Sequence, residues 1–306
     1  MNSKIKVLAV VGPTASGKTD LSLRLAEALD GEIISCDSMQ IYRDMNIGTA
    51  KPSLDERRGI PHHLFDVSSP EDEFSCADYK TLAEKAIKDV AKRGKTPIFC
   101  GGTGLYLSSV LRGGDLSPNI PAGIRERLEM RSPDENWDEL LSVDPEAAAL
   151  THKNNVKRVI RALEIYHGTG KTKTEWDKLS LEVEPPYDAL IFGLDYKNRD
   201  ILYERINKRV DIMMNEGLEA EVRSIAPHLG KTASQAIGYK ELLMYINGEL
   251  PYGDAVELLK KNTRNYAKRQ LTWFRRDPNV IWSYPDEDSS DDIFENIVNI
   301  AKKHLT

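Results

Sequence analysis

Residues Gly12-Pro13-Thr14-Ala15-Ser16-Gly17-Lys18-Thr19 carry the spacing G-x-x-x-x-G-K-[ST], the most explicit chemical signal in the chain. Each fixed position has a mechanical reason. The glycines let the backbone curl until successive N–H groups point inward at phosphate oxygens. Lys18 carries a positive charge to the terminal phosphate, and the Thr19 hydroxyl is placed to ligate magnesium. The stretch therefore predicts a site for a diphosphate or triphosphate. A second candidate is Asp37, which closes the apolar run Glu32-Ile33-Ile34-Ser35-Cys36. A carboxylate there can accept a proton from an attacking hydroxyl or amine; its plainer alternatives are a helix N-cap or a partner of the magnesium ligands. Gly101-Gly102-Thr103-Gly104 is a second glycine-rich turn after a strand-like run, and it supplies a second wall for the same cleft.

These residues need elements to hold them. Ile5 to Val11 is a β-branched run of buried-strand type, and Asp20 to Leu29 has helical spacing built from strong helix formers. A strand before the loop and a helix after it are what a phosphate loop requires, because the helix N-terminus adds partial positive charge. Further strands are expected at Glu32–Asp37, Thr96–Cys100, Ala189–Leu194 and Val280–Trp282, with a short one at His62–Val67. In parallel sheets ligands gather beyond the carboxyl ends of the strands, where Asp37 and both glycine turns would sit. His62 and His63 point to opposite faces of any strand, so a structural role is expected for both rather than a shared metal. Helical spacing covers Cys76–Arg93, Arg199–Glu216, Tyr239–Asn247 and Tyr252–Arg275, and the tail is an acidic amphipathic helix. From Asp115 to Pro186 strand signals stop, prolines recur and amphipathic helices follow, the clearest being Val156–Tyr166. The expected fold is α/β: a P-loop kinase-like parallel sheet core flanked by helices, with a helical insertion domain. Residues 1–114 and 187–306 form the core and C-terminal helices, and 115–186 the insertion, bounded by Gly113-Gly114 and Pro185-Pro186.

With 306 residues, 40% hydrophobic and 29% charged, the chain reads as a soluble globular protein with ample core. No apolar run reaches the roughly 20 residues that span a bilayer, and Met1-Asn2-Ser3-Lys4 runs straight into the first strand, so no signal peptide, no membrane partner and a cytoplasmic location are expected. Cys36, Cys76 and Cys100 are scattered, which argues against a zinc site or a disulfide framework. The net charge of −6 hides a strong asymmetry. Lys260 to Arg276 holds seven basic residues and no acid, and Lys153 to Lys173 holds six against Glu164 alone. Such surfaces can hold a polyanion despite the acidic average.

Seven ordered blocks resemble the tRNA dimethylallyltransferases (isopentenyltransferases). They are Gly12–Thr19, Asp37–Arg43, Ile47–Pro52, Gly101–Tyr106, Arg158–Glu164, Ala236–Tyr239 and Thr263–Phe274. The chain lacks the zinc-finger extension common in eukaryotic relatives, and so resembles the compact bacterial form. The resemblance implies transfer of a dimethylallyl group from dimethylallyl diphosphate to the N6 amine of an adenine beside the anticodon. The phosphate loop then holds the donor's diphosphate as leaving group, with magnesium on Thr19, and Asp37 takes the amine proton. By the same resemblance Thr103 contacts the tRNA or the target amine, and an arginine at Arg209, or failing that Arg205, supports the diphosphate. The target adenine must swing out of its stack to be reached, which brings Ser38, Met39 and Gln40 close to it. The anticodon stem-loop is expected to meet two basic arms. One holds Arg125, Lys157, Arg158, Val159, Ile160 and Arg161; the other holds Arg264, Lys268 and Arg269. Trp273 is expected in core packing, with a stacking platform for a base as the alternative, and a monomer is expected. Two other readings stand beside this one: an adenylate isopentenyltransferase acting on free AMP, and a small-molecule P-loop kinase. A non-enzymatic RNA-binding module fits less well, since it leaves the phosphate loop and Asp37 without work.

Overall fold

The computed structural model describes residues 4–112, 118 and 120–306. Six parallel strands form one sheet: β1 (Lys6–Val11), β2 (Gly31–Ser35), β3 (His62–His63), β4 (Thr96–Gly101), β5 (Asp188–Leu194) and β6 (Val280–Ser283), in the order β3-β2-β4-β1-β5-β6. Residues 7 to 11 of β1 are fully buried, as a central parallel strand covered on both faces should be. The short third strand is two residues long rather than the six expected, because Leu64 and Asp66 take positive φ and end the extended run. His63 there bonds the buried Glu32 carboxylate at 2.7 Å, and His62 bonds the Ile60 carbonyl at 2.8 Å.

The chain divides into two compact units, one running to Val110 and resuming at Tyr187, the other Leu111–Pro186. The expected Gly113-Gly114 boundary lies outside the described residues. In the first unit α1 (Lys18–Ala28), α2 (Cys76–Lys92) and α3 (Gly104–Leu111) follow strands β1, β3 and β4. Ser75 caps α2 with a reciprocal Asp78 bond, and Gly94 ends it in the left-handed conformation. The second unit contains α4 (Ile124–Glu129), α5 (Pro133–Val143), α6 (Pro145–Leu150), α7 (Val156–Thr169) and α8 (Lys173–Glu182) around a core of Leu128, Leu140, Val159, Ile160 and Leu163. The first unit then adds α9 (Arg199–Asn215), α10 (Leu218–Ile225), α11 (Tyr239–Ile246), α12 (Tyr252–Phe274) and α13 (Ser290–Leu305). The amphipathic α13 lays Ile293, Ile297 and Ala301 into the core that also holds Leu8, Val10 and Leu25. Helix α10 went unforeseen; it is short, and Gly217 at φ 99° turns the chain into it directly after α9. Among the described residues no helix is long and apolar enough to cross a membrane.

Strand register decides what the loops can do. Val11 lies opposite Gly101 and Ser35 opposite Cys100, so the three neighbouring strands β1, β4 and β2 end level with one another. The residues that follow them, Gly12 to Thr19, Gly102 to Gly104 and Cys36 to Gln40, therefore emerge side by side at one edge of the sheet.

Candidate active site

The loop Gly12–Thr19 leads into the N-terminus of α1, whose N-cap is Gly17 at φ 98°. Gly12 sits at φ 144°, and a Cβ there would approach the Leu194 carbonyl oxygen to 2.5 Å, so this position tolerates no side chain. The Lys18 ammonium crosses the loop to the Pro13 carbonyl at 2.6 Å. Burial holds its pKa down at about 8, and the neighbouring Arg209 guanidinium acts in the same direction. Ser16 Oγ is buried in the loop and has no hydrogen-bond partner among the described residues. A buried hydroxyl left unmatched costs about 1–3 kcal/mol, so this one suits a phosphate oxygen as partner.

Asp37 stands beside the loop. Burial pushes its carboxyl above the usual range, while the Met39 and Gln40 N–H groups and the charges of Lys18 and Arg209 restrain the rise. The Met39 N–H donates to Asp37 Oδ1 at 2.9 Å, which fixes the carboxylate in a tight turn. Such a carboxylate is a base with both a raised proton affinity and a set direction. Thr103 Oγ1 accepts the Ser38 N–H at 3.0 Å, and the Thr103 N–H donates to the Cys36 carbonyl, so the second glycine turn is bonded to the Asp37 segment.

Thr14, Asp37, Ser38, Met39, Arg209 and Arg269 share one cavity of about 260 Å³ with a wall that sequence reasoning missed. Ile206, Val210 and Met213 of α9, Ile237 and Leu259 make that wall apolar, and Gly48 to Ala50 and Tyr266 complete it. Glu221 positions the Gly48 segment by accepting the N–H groups of Asn46, Ile47 and Gly48 at 2.8–3.0 Å. Thr19 faces a neighbouring open cleft of about 1120 Å³, which shares Arg209 with the cavity. Burial lowers the Arg209 pKa, with Asp37, Glu216 and Glu56 opposing the shift; arginine keeps its charge regardless. Arg205 instead donates to the Ala15 carbonyl at 2.9 Å and braces the loop from outside.

The other expected contact residues differ in their surroundings. The Gln40 amide is engaged at both ends, accepting from Ser35 Oγ at 2.9 Å and donating to the Thr49 and Ala50 carbonyls at 3.1 and 3.3 Å. It braces the cavity wall. Val159 and Ile160 are 1% and 4% exposed, and their side chains pack into the core of the helical unit. On the same helix Lys157 and Arg158 are exposed, whereas Arg161 and Arg125 both lean on the buried Glu164 carboxylate at 3.5 Å. Trp273 is 38% exposed rather than in the core, with its indole packed against Gly104. On α12, Lys268 and Arg269 are exposed and lie over the rings of Tyr203 and Tyr266, while Arg264 donates to Asn207 Oδ1.

The residues missed, Tyr266 and Gln270, lie with Thr263 and Trp273 at i, i+3, i+7 and i+10 of α12, one face of a helix. That period was the available signal. Burial raises the Tyr266 phenol, and the Asp37 charge adds to the effect.

A family model described as IPP transferase matches residues 40–277. The chain is 50% identical over 298 residues to the tRNA dimethylallyltransferase of Anoxybacillus flavithermus, covering 96% of this chain and 94% of that one. It is also 50% identical over 289 residues to the tRNA dimethylallyltransferase of Bacillus subtilis, covering 92% and 91%. Among solved structures, the full-length tRNA isopentenylpyrophosphate transferase of Bacillus halodurans superposes with a TM-score of 0.76 at 42% identity, covering 99% of this chain and 97% of that one. A eukaryotic dimethylallyltransferase acting on tRNA gives a TM-score of 0.76 at 34% identity over 88% and 69% of the two chains.

Proposed function

The chain belongs to the IPP transferase family, and from that premise we propose that it is a tRNA dimethylallyltransferase. It moves the dimethylallyl group of dimethylallyl diphosphate to the N6 amine of the adenine beside the anticodon and releases diphosphate. The observation that carries this reading is the single cavity that joins a phosphate loop and a turn-fixed carboxylate to an apolar wall. A phosphotransferase needs no apolar chamber beside its transferable phosphate; a five-carbon allylic tail does.

In the transfer, the allylic C–O bond breaks and its electron pair leaves on the diphosphate oxygen, while the adenine nitrogen forms the new C–N bond. Negative charge grows on the diphosphate, where the loop N–H groups, Lys18, Arg209 and the orphaned Ser16 hydroxyl can receive it. The N6 amine is a poor nucleophile until its proton is taken, and Asp37 is the base placed to take it. Met39 and the apolar side chains of α9 keep water from the allylic carbon. Among the described residues no cluster of three or more His, Cys, Asp or Glu is arranged for a metal. Magnesium suits such a site, because it commonly binds one or two protein oxygens plus substrate phosphates. Thr19 would hold it, and it would neutralise charge on the leaving group. The reading further takes the protein as a cytosolic monomer.

Two measurements bear on this reading. Lys18 carries its charge below pH 8 in the free protein and loses it as pH rises through about 8. Affinity for inorganic diphosphate should therefore fall by up to about tenfold per pH unit above that point. Titration calorimetry of wild type and Lys18→Met checks this, since the methionine variant should lack the difference. For tRNA, Arg264, Lys268 and Arg269 fall on one side of α12. Replacing all three with alanine should lower the slope of log affinity against log salt by roughly one or less for each phosphate left without its cation. Equal slopes in a folded variant would mean that none of the three meets a tRNA phosphate.

A further inference from the structure

The side chain of Gln270 is buried, yet it belongs to neither the phosphate loop nor the carboxylate turn. Its Oε1 accepts the Thr14 N–H at 2.9 Å, and its Nε2 donates to the Gly102 carbonyl at 3.1 Å. Thr14 lies in the Gly12–Thr19 loop and lines the cavity, and Gly102 immediately precedes Thr103, whose hydroxyl holds the cavity-lining Ser38. One amide thus bonds the two loops that carry the two halves of the reaction. The bracket is built in from both sides: a Cβ on Gly102 would come within 1.8 Å of Gln270 Nε2. The same face of α12 brings Tyr266 to the cavity and seats Trp273 on Gly104, the residue after Thr103.

We propose that Gln270 is a positioning residue for the transfer, holding the donor's diphosphate loop and the Thr103 turn at the separation from which the amine attacks the allylic carbon. The inference rests on the functional reading above. Gln270 touches no reacting atom. Its contribution is geometric, and rates depend steeply on such geometry, with a displacement near 1 Å costing about 100-fold. The amide is also the right group chemically. It offers one acceptor and one donor on the same planar head, whereas a carboxylate offers only acceptors and would set an oxygen against the Gly102 carbonyl.

That difference supplies the test. Gln270→Leu should lower kcat about 100-fold, with the KM for tRNA unchanged. Gln270→Glu should be similarly slow at high pH and recover as pH falls, because a protonated carboxyl again presents an acceptor to Thr14 and a donor to Gly102. The readout is the ratio of kcat for Gln270→Glu to wild type across pH, which cancels the titration of Asp37, with melting temperatures recorded alongside. A rising ratio toward acid supports the bracket; a pH-independent ratio, or a Gln270→Leu kcat within about threefold of wild type, overturns it. Should the leucine variant fail to fold, the glutamate ratio alone decides. If wild-type protein labels no tRNA, the functional reading has failed instead, and binding of inorganic diphosphate then tests the bracket. Without the hydrogen bond to Thr14, that binding should weaken about tenfold in Gln270→Leu, and unchanged affinity would overturn it.

Discussion

Asp37→Asn is expected to lose about 100- to 10,000-fold in kcat while binding both substrates normally. Asparagine keeps an oxygen for the Met39 N–H that fixes the turn at 2.9 Å, so the geometry of the segment survives. What it cannot do is take the amine proton. The sign of the effect on donor binding is also set: removing a negative charge near Lys18 and Arg209 leaves diphosphate affinity equal or tighter. The acid limb of the wild-type pH–rate profile, which reports protonation of Asp37, should vanish in the variant. A near-normal kcat would return Asp37 to the role of turn former.

Lys18→Ala should cost about 100- to 1,000-fold in kcat/KM for the donor, the usual range for removing one preorganised donor to developing negative charge. Arg209, the cavity-lining cation whose charge acts on Lys18, stays in place, so residual activity should depend on it. Single-turnover rates at saturating tRNA would separate weakened donor binding from slower ionisation. An unchanged rate would mean that the loop N–H groups carry the leaving group by themselves.

The adjacency of the candidate-site segments was legible because their patterns are local. A glycine-rich loop between strand and helix, and a carboxylate closing the next strand, are short-range patterns, and parallel register then forces them together. The apolar wall was not legible. Ile206, Val210 and Met213 sit on a helix whose sequence reads as evenly charged, and only tertiary packing turns that face toward Asp37. Gln270 was only half legible: its period sets it on one face with Thr263, Tyr266 and Trp273, but directly after Lys268 and Arg269 a lone glutamine looks solvated until the loops it bonds are placed around it. Val159 and Ile160 teach the opposite lesson. They travel with basic neighbours in a block that resembles a tRNA-binding segment, but with Leu163 they form the i, i+1, i+4 stripe of an amphipathic helix, and that period alone assigns them to the core. Trp273 misled through its size, since a large aromatic near a helix end suggests burial while here it covers a glycine at the surface.

The central claim is that a loop of nucleotide-binding type here serves prenyl transfer to tRNA. Its most direct test is incubation of the purified protein with labelled dimethylallyl diphosphate and magnesium, without ATP, using bulk tRNA in one reaction and AMP in another. The account predicts label on the N6 of one anticodon-loop adenine in tRNA, one diphosphate released per transfer, and no labelled AMP. Label in AMP but not in tRNA, or tRNA labelling only when ATP is added and hydrolysed in step, would contradict it.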